Sequence, residues 1–411
     1  MDSDGADNGL DEPDRGKGLN GQERAPSEGP APLNQSHVRL GNAWSVLTAV
    51  RSAGIATRSR VTADTGLTAM TVHRLVTDLR RRKLLVSAGR SSAGLGRPSF
   101  LYQFNASIGH VVGIDVGNET TRAVVTDLAG SPKVRVELAT GEIEDDLAGS
   151  LERLVRRLLA EAGVDPERIV GMGVGVPAVT DPDGTIRRAS LHLQWAGLPL
   201  GTRLREAFAT EVVVNQDDHL AALAEHRHGG CVDSRNAVVL NVGKGIGVGV
   251  IADGAVFAGA HAAAGRVAWI PAIAGGGTPR PLGTLLTGDG LLREYRARGG
   301  DHGCDTAADV FEAAGNGDSA ASESVQEFAQ RLGWLIGALV AVLDPEVVVV
   351  GGGISRAFDR IHGPLAEQLA AIVPVAPPVV ASPLVPEAVV TGAVDAALEL
   401  ADAWLRARIE G

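Results

Sequence analysis

Two cysteines in 411 residues, Cys231 and Cys304, exclude a disulfide framework and a cysteine-based metal centre. Aromatic residues make up only 3% of the chain, so any core must be built from Ala, Val and Leu. Long apolar runs are missing as well. The most apolar stretch, Trp334 to Gly351, is broken by "DPE" at Asp344 to Glu346, well short of a membrane span. The opening "MDSDGADNGL" is acidic and has no apolar centre, unlike a signal peptide, so a cytoplasmic protein is expected. What is present is a 45% hydrophobic composition with 53 glycines clustered beside apolar runs, as tight turns and phosphate-cradling loops require. The length allows two or three domains with cores of their own.

A net charge of −11 conceals a division along the chain. Between Val38 and Phe100 there are eleven Arg or Lys against two Asp, a balance of +9 that leaves −20 for everything else. A compact basic segment on an acidic body suggests a nucleic-acid module joined to something else. Residues 1–36, rich in Gly, Pro, Asp, Glu, Ser and Asn, have almost nothing to bury and read as a disordered acidic tail.

Residues 37–107 then read as a winged helix-turn-helix. "RLGNAWSVLTAVRSAG" sets Leu40, Trp44, Leu47 and Val50 at helical spacing and stops at Gly54. "TRSRVTADTGL" is a short helix capped by Thr57, and Gly66–Leu67 makes the turn. The third helix starts at an N-cap Thr68 and runs through Met70, Val72, Leu75, Val76 and Leu79. "VSAGRSSAGLGRPSFLYQF" is two strands around a basic loop. If the third helix enters a major groove, Thr68, Thr71, His73 and Arg74 are its base-facing candidates. Arg80, with Arg90 and Arg97 on the wing, suits phosphate or minor-groove contact.

From residue 108 to 411 the pattern alternates strands and helices, with two glycine-punctuated hairpins, "VVGIDVGNETTRAVVTDLAG" and "NAVVLNVGKGIGVGVIADG". Each sits where one lobe of a two-lobed α/β fold would begin, with a lobe boundary near residue 230. In "VVVNQDDHLAALAEHR" a buried strand ends on two carboxylates and a helix starts. Asp217 at such a tip is a candidate general base, ligand hook or helix cap. Asp218 reads as the better pure N-cap, since the helical pattern begins just after it.

These motifs, in order, resemble the ROK family of repressors, open reading frames and sugar kinases. The resemblance runs from Val38 to the C-terminus. "GLTAMTVHRLVTDL" is similar to the family's recognition helix and "GLGRPSFLYQFN" to its wing. "GIDVGNETTRAVVTD" (Asp115, Gly117) and "NVGKGIGVGVIADG" (Gly243, Gly245) resemble its phosphate hairpins. "LDPEVVVVGGGIS" (Gly352) resembles its nucleotide-side loop, and "QWAGLPL" (Trp195) the segment before its catalytic strand. The resemblance implies a sugar-kinase/actin-like (ribonuclease H-like) ATPase fold whose C-terminal helix returns to the first lobe, with Asp217 at the catalytic aspartate.

The departures from the family pattern point away from kinase chemistry. Glu119 stands where a threonine meets phosphate, and a carboxylate there opposes a phosphate by about 1–4 kcal/mol at effective dielectrics of about 80 to 20. Thr120 or Thr121 could substitute after a one-residue shift. Lys244 replaces a second threonine, and His219 an asparagine. In "AGRVAW", Arg266 and Trp269 replace the sugar-holding glutamate and histidine, and no Cys or His follows in "PAIAGGGTPRPLGTLL" to build a zinc site. No metal and no cofactor are expected. Asp217, Arg266, Trp269 and Trp195 are the candidate ligand contacts. Arg266 would favour an acidic ligand, such as a sugar phosphate, and Trp269 could stack on a sugar face. The alternative is that Arg266 points to solvent and Trp269 only fills space. The expected function is a regulator that binds operator DNA as a homodimer or higher oligomer and senses a sugar, sugar phosphate or acidic sugar. A ROK-type sugar kinase and a constitutive DNA-binding dimer are the alternatives.

Overall fold

Hydroxyl caps and a left-handed glycine shape the N-terminal end of the molecule. The structure, a computed structural model, describes residues 35–91, 99–143, 145–189, 192–273, 279–300 and 303–410. The expected tail therefore lies outside the described residues, except that positions 35 and 36 already belong to helix α1 (Gln35–Ala53). Strand β1 (Ile55–Thr57) and helices α2 (Arg58–Thr65) and α3 (Ala69–Arg81) follow. Thr57 Oγ1 accepts from the Arg60 N–H, Thr68 Oγ1 from the Thr71 N–H, and Gly66 between the helices takes φ +68°. The core under α3 is Val72, Leu75, Val76 and Leu79. Met70 does not join it and is 75% exposed. Two residues before Val72 is about 200° around a helix, so the two side chains cannot share a face. Strands β2 (Leu85–Ser91) and β3 (Ser99–Phe104) pair antiparallel, and β1 adds to β3 in the order β1-β3-β2. A three-residue strand is too short for alternation to reveal in sequence.

The first lobe is a five-stranded sheet of β4 (His110–Val116), β5 (Thr120–Asp127), β6 (Pro132–Ala139), β7 (Ile169–Val176) and β10 (Val212–Gln216), ordered β10-β7-β4-β5-β6. Between β6 and β7 runs α4 (Leu147–Ala162). A small hairpin, β8 (Ala178–Thr180) with β9 (Ile186–Ala189), and α5 (Leu200–Phe208) precede β10. Helices α4 and α5 cover one face of this sheet. From the tip of β10 the chain enters α6 (Asp217–His228) and then the second lobe.

That lobe's sheet holds β11 (Ala237–Val242), β12 (Ile246–Ala252), β13 (Ala255–Val256), β16 (Val347–Gly351) and β17 (Val379–Ala381), in the order β13-β12-β11-β16-β17. Between β13 and β16 lie the ribbon β14 (Pro271–Ile273) and β15 (Pro279–Pro281), then α7 (Leu282–Leu285), α8 (Gly288–Ala297), α9 (Ala307–Gly315) and α10 (Ser319–Leu343). Helix α11 (Phe358–Ile372) joins β16 to β17. Helices α8 to α11 bury one face of this sheet, and α6 lies against the other.

Helix α12 (Ala388–Glu410) returns to the first lobe and packs on β4 and β7. The approach is close enough to require glycine in the sheet: a Cβ on Gly173 would sit 2.0 Å from the Ala393 carbonyl oxygen. The far half of α12 supports the N-terminal module. Leu405 and Ile409 share one apolar cluster with Leu47, Val50 and Leu79. Asp402 pairs with Arg51 at 2.7 Å, Arg82 donates to the Arg408 carbonyl at 2.9 Å, and Arg406 stacks over the Trp44 ring at 4.0 Å. No described helix is long and apolar enough to cross a membrane.

Candidate functional site

The junction of β10 with α6 places two carboxylates between the lobes. Asp217 is the first residue of α6, and its Oδ1 accepts the Asp218 N–H at 3.0 Å, so it does part of a cap's work. Asp218 is not the cap expected from sequence. One residue further on, its carboxylate leaves its own helix and crosses to the second lobe, where Asn241 Nδ2 donates to it at 3.2 Å. Gly247 makes room there, because a Cβ would come within 1.8 Å of Asp218 Oδ2.

Arg266 faces inward. Its side chain is 10% exposed, Nη1 lies 3.9 Å from Asp217 and 3.6 Å from Asp218, and Nη2 donates to the Pro177 carbonyl at 2.9 Å. The reading in which it points to solvent is therefore wrong. Burial, with the neighbouring Asp218 next, holds the Asp217 carboxyl well above the usual carboxylate range, and Arg266 opposes both. Burial also raises Asp218, against Arg266 and the Asn241 hydrogen bond. Asp115, at the end of β4, is pushed up to about 7 by burial despite Arg122 at 3.7 Å. His219 Nε2 donates to the Ala264 carbonyl at 3.1 Å and lies 3.2 Å from Gln216 Nε2, and burial lowers its pKa.

Asp217, Asp218 and Arg266 line a cavity of about 270 Å³ that also includes Asn118, Trp269 and Thr284. Trp269 is 38% exposed, and Arg188 and Arg266 lie 4.6 and 5.6 Å from its ring centroid. Trp195 does not take part. It is buried in the first-lobe core, stacked on His192 at 4.0 Å, because its indole completes the apolar layer under β9 and α5. Sequence reasoning missed Asn118 and Gln216, whose buried side-chain oxygens have no hydrogen-bond partner among the described residues. A polar amide beside a glycine loop and one before a carboxylate pair were the available signals.

The two glycine hairpins meet above this cavity. Lys244 Nζ sits 3.2 Å from Glu119 and 3.0 Å from Asp289, so the cation is already bound by protein carboxylates. Hydrogen bonds from Lys244 to Asp289 and Glu119 raise its pKa further. A second cavity of about 660 Å³ lies beyond, with Gly243, Lys244, Arg356 and Arg360 in its wall. Gly245 lines the first cavity instead. Gly117 permits a tight turn onto the Thr120 carbonyl, and Gly352, at φ +73°, lies against the Val242 backbone rather than in either cavity.

On the N-terminal module, Thr68, His73, Arg74, Arg80 and Arg90 are exposed. Thr71 is half-buried, its hydroxyl 2.9 Å from that of Thr68, so it is less available than its spacing suggested. Arg58 holds His73 Nδ1, Arg80 leans on Tyr102 and Arg90 on Phe100. Arg97 lies outside the described residues. Asp78 gathers Arg39, Arg81 and Arg82 around one carboxylate.

The ROK family model matches residues 111–399. A glucokinase of Halalkalibacterium halodurans is 28% identical over 284 residues, covering 63% of this chain and 85% of the relative. A xylose repressor of Caldicellulosiruptor bescii is 25% identical, covering 78% of this chain and 85% of that one. The transcriptional dual regulator NagC of Escherichia coli is 23% identical, over 81% and 85% respectively. Among solved structures, a ROK family transcriptional regulator homologous to the E. coli MLC protein superposes with a TM-score of 0.75 at 22% identity, over 91% of this chain and all of that one. The ROK hexokinase of Thermus thermophilus gives 0.58 at 29% identity, over 71% and 99%. With the family's model spanning residues 111–399, most of the two-lobed body, the chain belongs to the ROK family.

Proposed function

We propose that this chain is a DNA-binding transcriptional regulator whose kinase-like body senses a monosaccharide and no longer transfers phosphate. Residues 37–107 act as a winged helix-turn-helix, and 108–411 as the effector-binding and dimerisation body. Two such modules in a homodimer would read two half-sites. The observation that carries this reading is the basic three-helix module with an exposed third-helix face, fixed to α12 of a sugar-kinase-like body.

A carboxyl with a raised pKa beside a cleft suits a general base, so the loss of catalysis rests on what surrounds Asp217. A guanidinium within 4 Å already engages the carboxylate pair, and the loops that would cradle phosphate are held by an internal ion pair. A phosphoryl group would have to displace Glu119 from Lys244 and accept the nearby Asp289. The same arrangement revises the expected effector. Arg266 is neutralised by two carboxylates, so the cavity offers acceptors more than free positive charge. A neutral or amino-bearing monosaccharide fits it better than an acidic one.

Filling the cavity would reach DNA through two helices. Helix α6 starts at Asp217 and ends with His228 and Arg227 against Asp395 and Glu399 of α12, and α12 ends under the module. Gel-shift titration with neutral, amino and phosphorylated monosaccharides tests the proposal, alongside a coupled ATP assay. Release of DNA by a neutral or amino sugar without turnover is the expected result. Phosphorylation that disappears in Asp217→Asn would establish the kinase instead.

A further inference from the structure

Among the exposed residues of α3, one is chemically out of place. Met70 lies 75% exposed in the first turn of a helix whose other large apolar side chains are buried. Its neighbours one turn on, His73 and Arg74, share its face at i+3 and i+4. His73 is held in a defined hydrogen-bonding state. Arg58, on α2, meets its Nδ1, and because a guanidinium only donates, Nδ1 accepts. The remaining hydrogen is then on Nε2, which makes the free edge of the ring a donor. Thr77 Oγ1 donates to the His73 carbonyl at 2.8 Å, so that turn of helix is braced as well.

A largely exposed thioether, a single imidazole donor and a guanidinium, set at the N-terminal end of a helix in a basic module, match one kind of surface. The major groove presents an apolar 5-methyl on thymine beside purine acceptors, and the phosphates flanking it are anionic. Arg58, which reaches His73, and Arg74 supply complementary charge at this face, and Arg80 and Arg90 are further exposed cations of the module. From Met70 to His73 the helix rises about 4.5 Å, little more than one base-pair step of about 3.4 Å.

We infer that Met70 reads a thymine methyl, and that His73, positioned by Arg58, donates from Nε2 to a purine N7 one or two base pairs away. This rests on the DNA-binding reading above, and the test separates the two. Selection of the full-length protein on random-sequence duplexes gives a preferred half-site. Each thymine in it is then replaced by uracil, which removes only the methyl, and each purine by its 7-deaza analogue. Binding is measured for the parent, Met70→Ala and His73→Ala.

One uracil should weaken the parent about three- to fivefold, the value of one buried methyl group, and leave Met70→Ala indifferent. One 7-deazapurine should weaken the parent by a similar factor and leave His73→Ala indifferent. Arg58→Ala should shrink the 7-deaza effect while keeping the uracil effect, which a merely structural role for Arg58 would not do. Both side chains are exposed, so circular dichroism should show the variants folded. A selected half-site at which uracil costs parent and Met70→Ala the same overturns the inference and leaves DNA binding standing. Failure to enrich any sequence, with only salt-sensitive uniform binding, overturns the regulator reading on which it rests.

Discussion

Removing the Arg266 guanidinium should expose how much of the cleft it holds together. In Arg266→Met the stem is retained while the charge is lost, leaving Asp217 and Asp218 side by side and the Pro177 carbonyl without its donor. Deleting one partner from a buried ionic cluster costs about 3–5 kcal/mol, most of it the desolvation of the charge left behind. Both carboxyls are already raised by burial, and without Arg266 they rise further. A carboxyl whose folded pKa lies above its unfolded value loses stability as pH climbs toward the folded pKa. The defect should therefore be larger at pH 8 than at pH 5, where the folded carboxyls take up protons. Urea unfolding of parent and variant at both pH values measures it, and Asp218→Asn in the same chain should recover at least half of the loss. A variant within about 1 kcal/mol of the parent at pH 8, or a loss equal at the two pH values, would refute the placement of Arg266 as the counter-charge of this pair. Arg266→Glu, which adds a third carboxylate, should destabilise the fold more than Arg266→Met.

Asp115→Asn should raise stability at pH 8 by a few kcal/mol, with about 4 kcal/mol as the ceiling from a shift of the carboxyl to about 7. The parent loses that stability between about pH 4 and pH 7, where the folded state retains a proton the unfolded state has released, so the variant's urea midpoint should vary less across that range. The pair Glu119→Thr and Lys244→Thr, which dissolves the bridge between the hairpins, should bring measurable ATP binding by calorimetry; no gain would mean that other residues close the phosphate loops. Asp402→Ala should cost under about 1 kcal/mol, since its pair with Arg51 is partly exposed, yet should weaken the response of DNA affinity to effector in gel shifts.

How far the sequence carries the reader differs by level. The ROK resemblance and the alternating strands and helices identified the fold of the body, because glycine spacing and buried runs are local signals. The caps Thr57 and Thr68 were legible for the same reason. Trp195 was not, since an aromatic near a catalytic strand looks alike whether it faces a cleft or a core. Asp218 misled because helix phase was inferred from its position after a strand, whereas its direction is set by Asn241 and Gly247 on the other lobe. Arg266 stood out as a departure from the family pattern, but its partners could not be read from one segment. Its partners lie on α6 and beside β7, and only the assembled lobes bring them within 4 Å.

The apolar cluster shared by α1, α3 and α12 also has a consequence in time. Arg51 and Asp402 are 351 residues apart in sequence, and Arg82 reaches the Arg408 carbonyl across 326. During synthesis from the N-terminus the three-helix module can gather its own local contacts early. The helix on which it rests is made last, after every strand of both sheets. A nascent chain therefore carries an unanchored module, and its orientation is fixed by one of the most non-local contacts in the molecule, the slowest kind to form. The orientation of the module on the body is thus acquired last, after every strand of both sheets has been made.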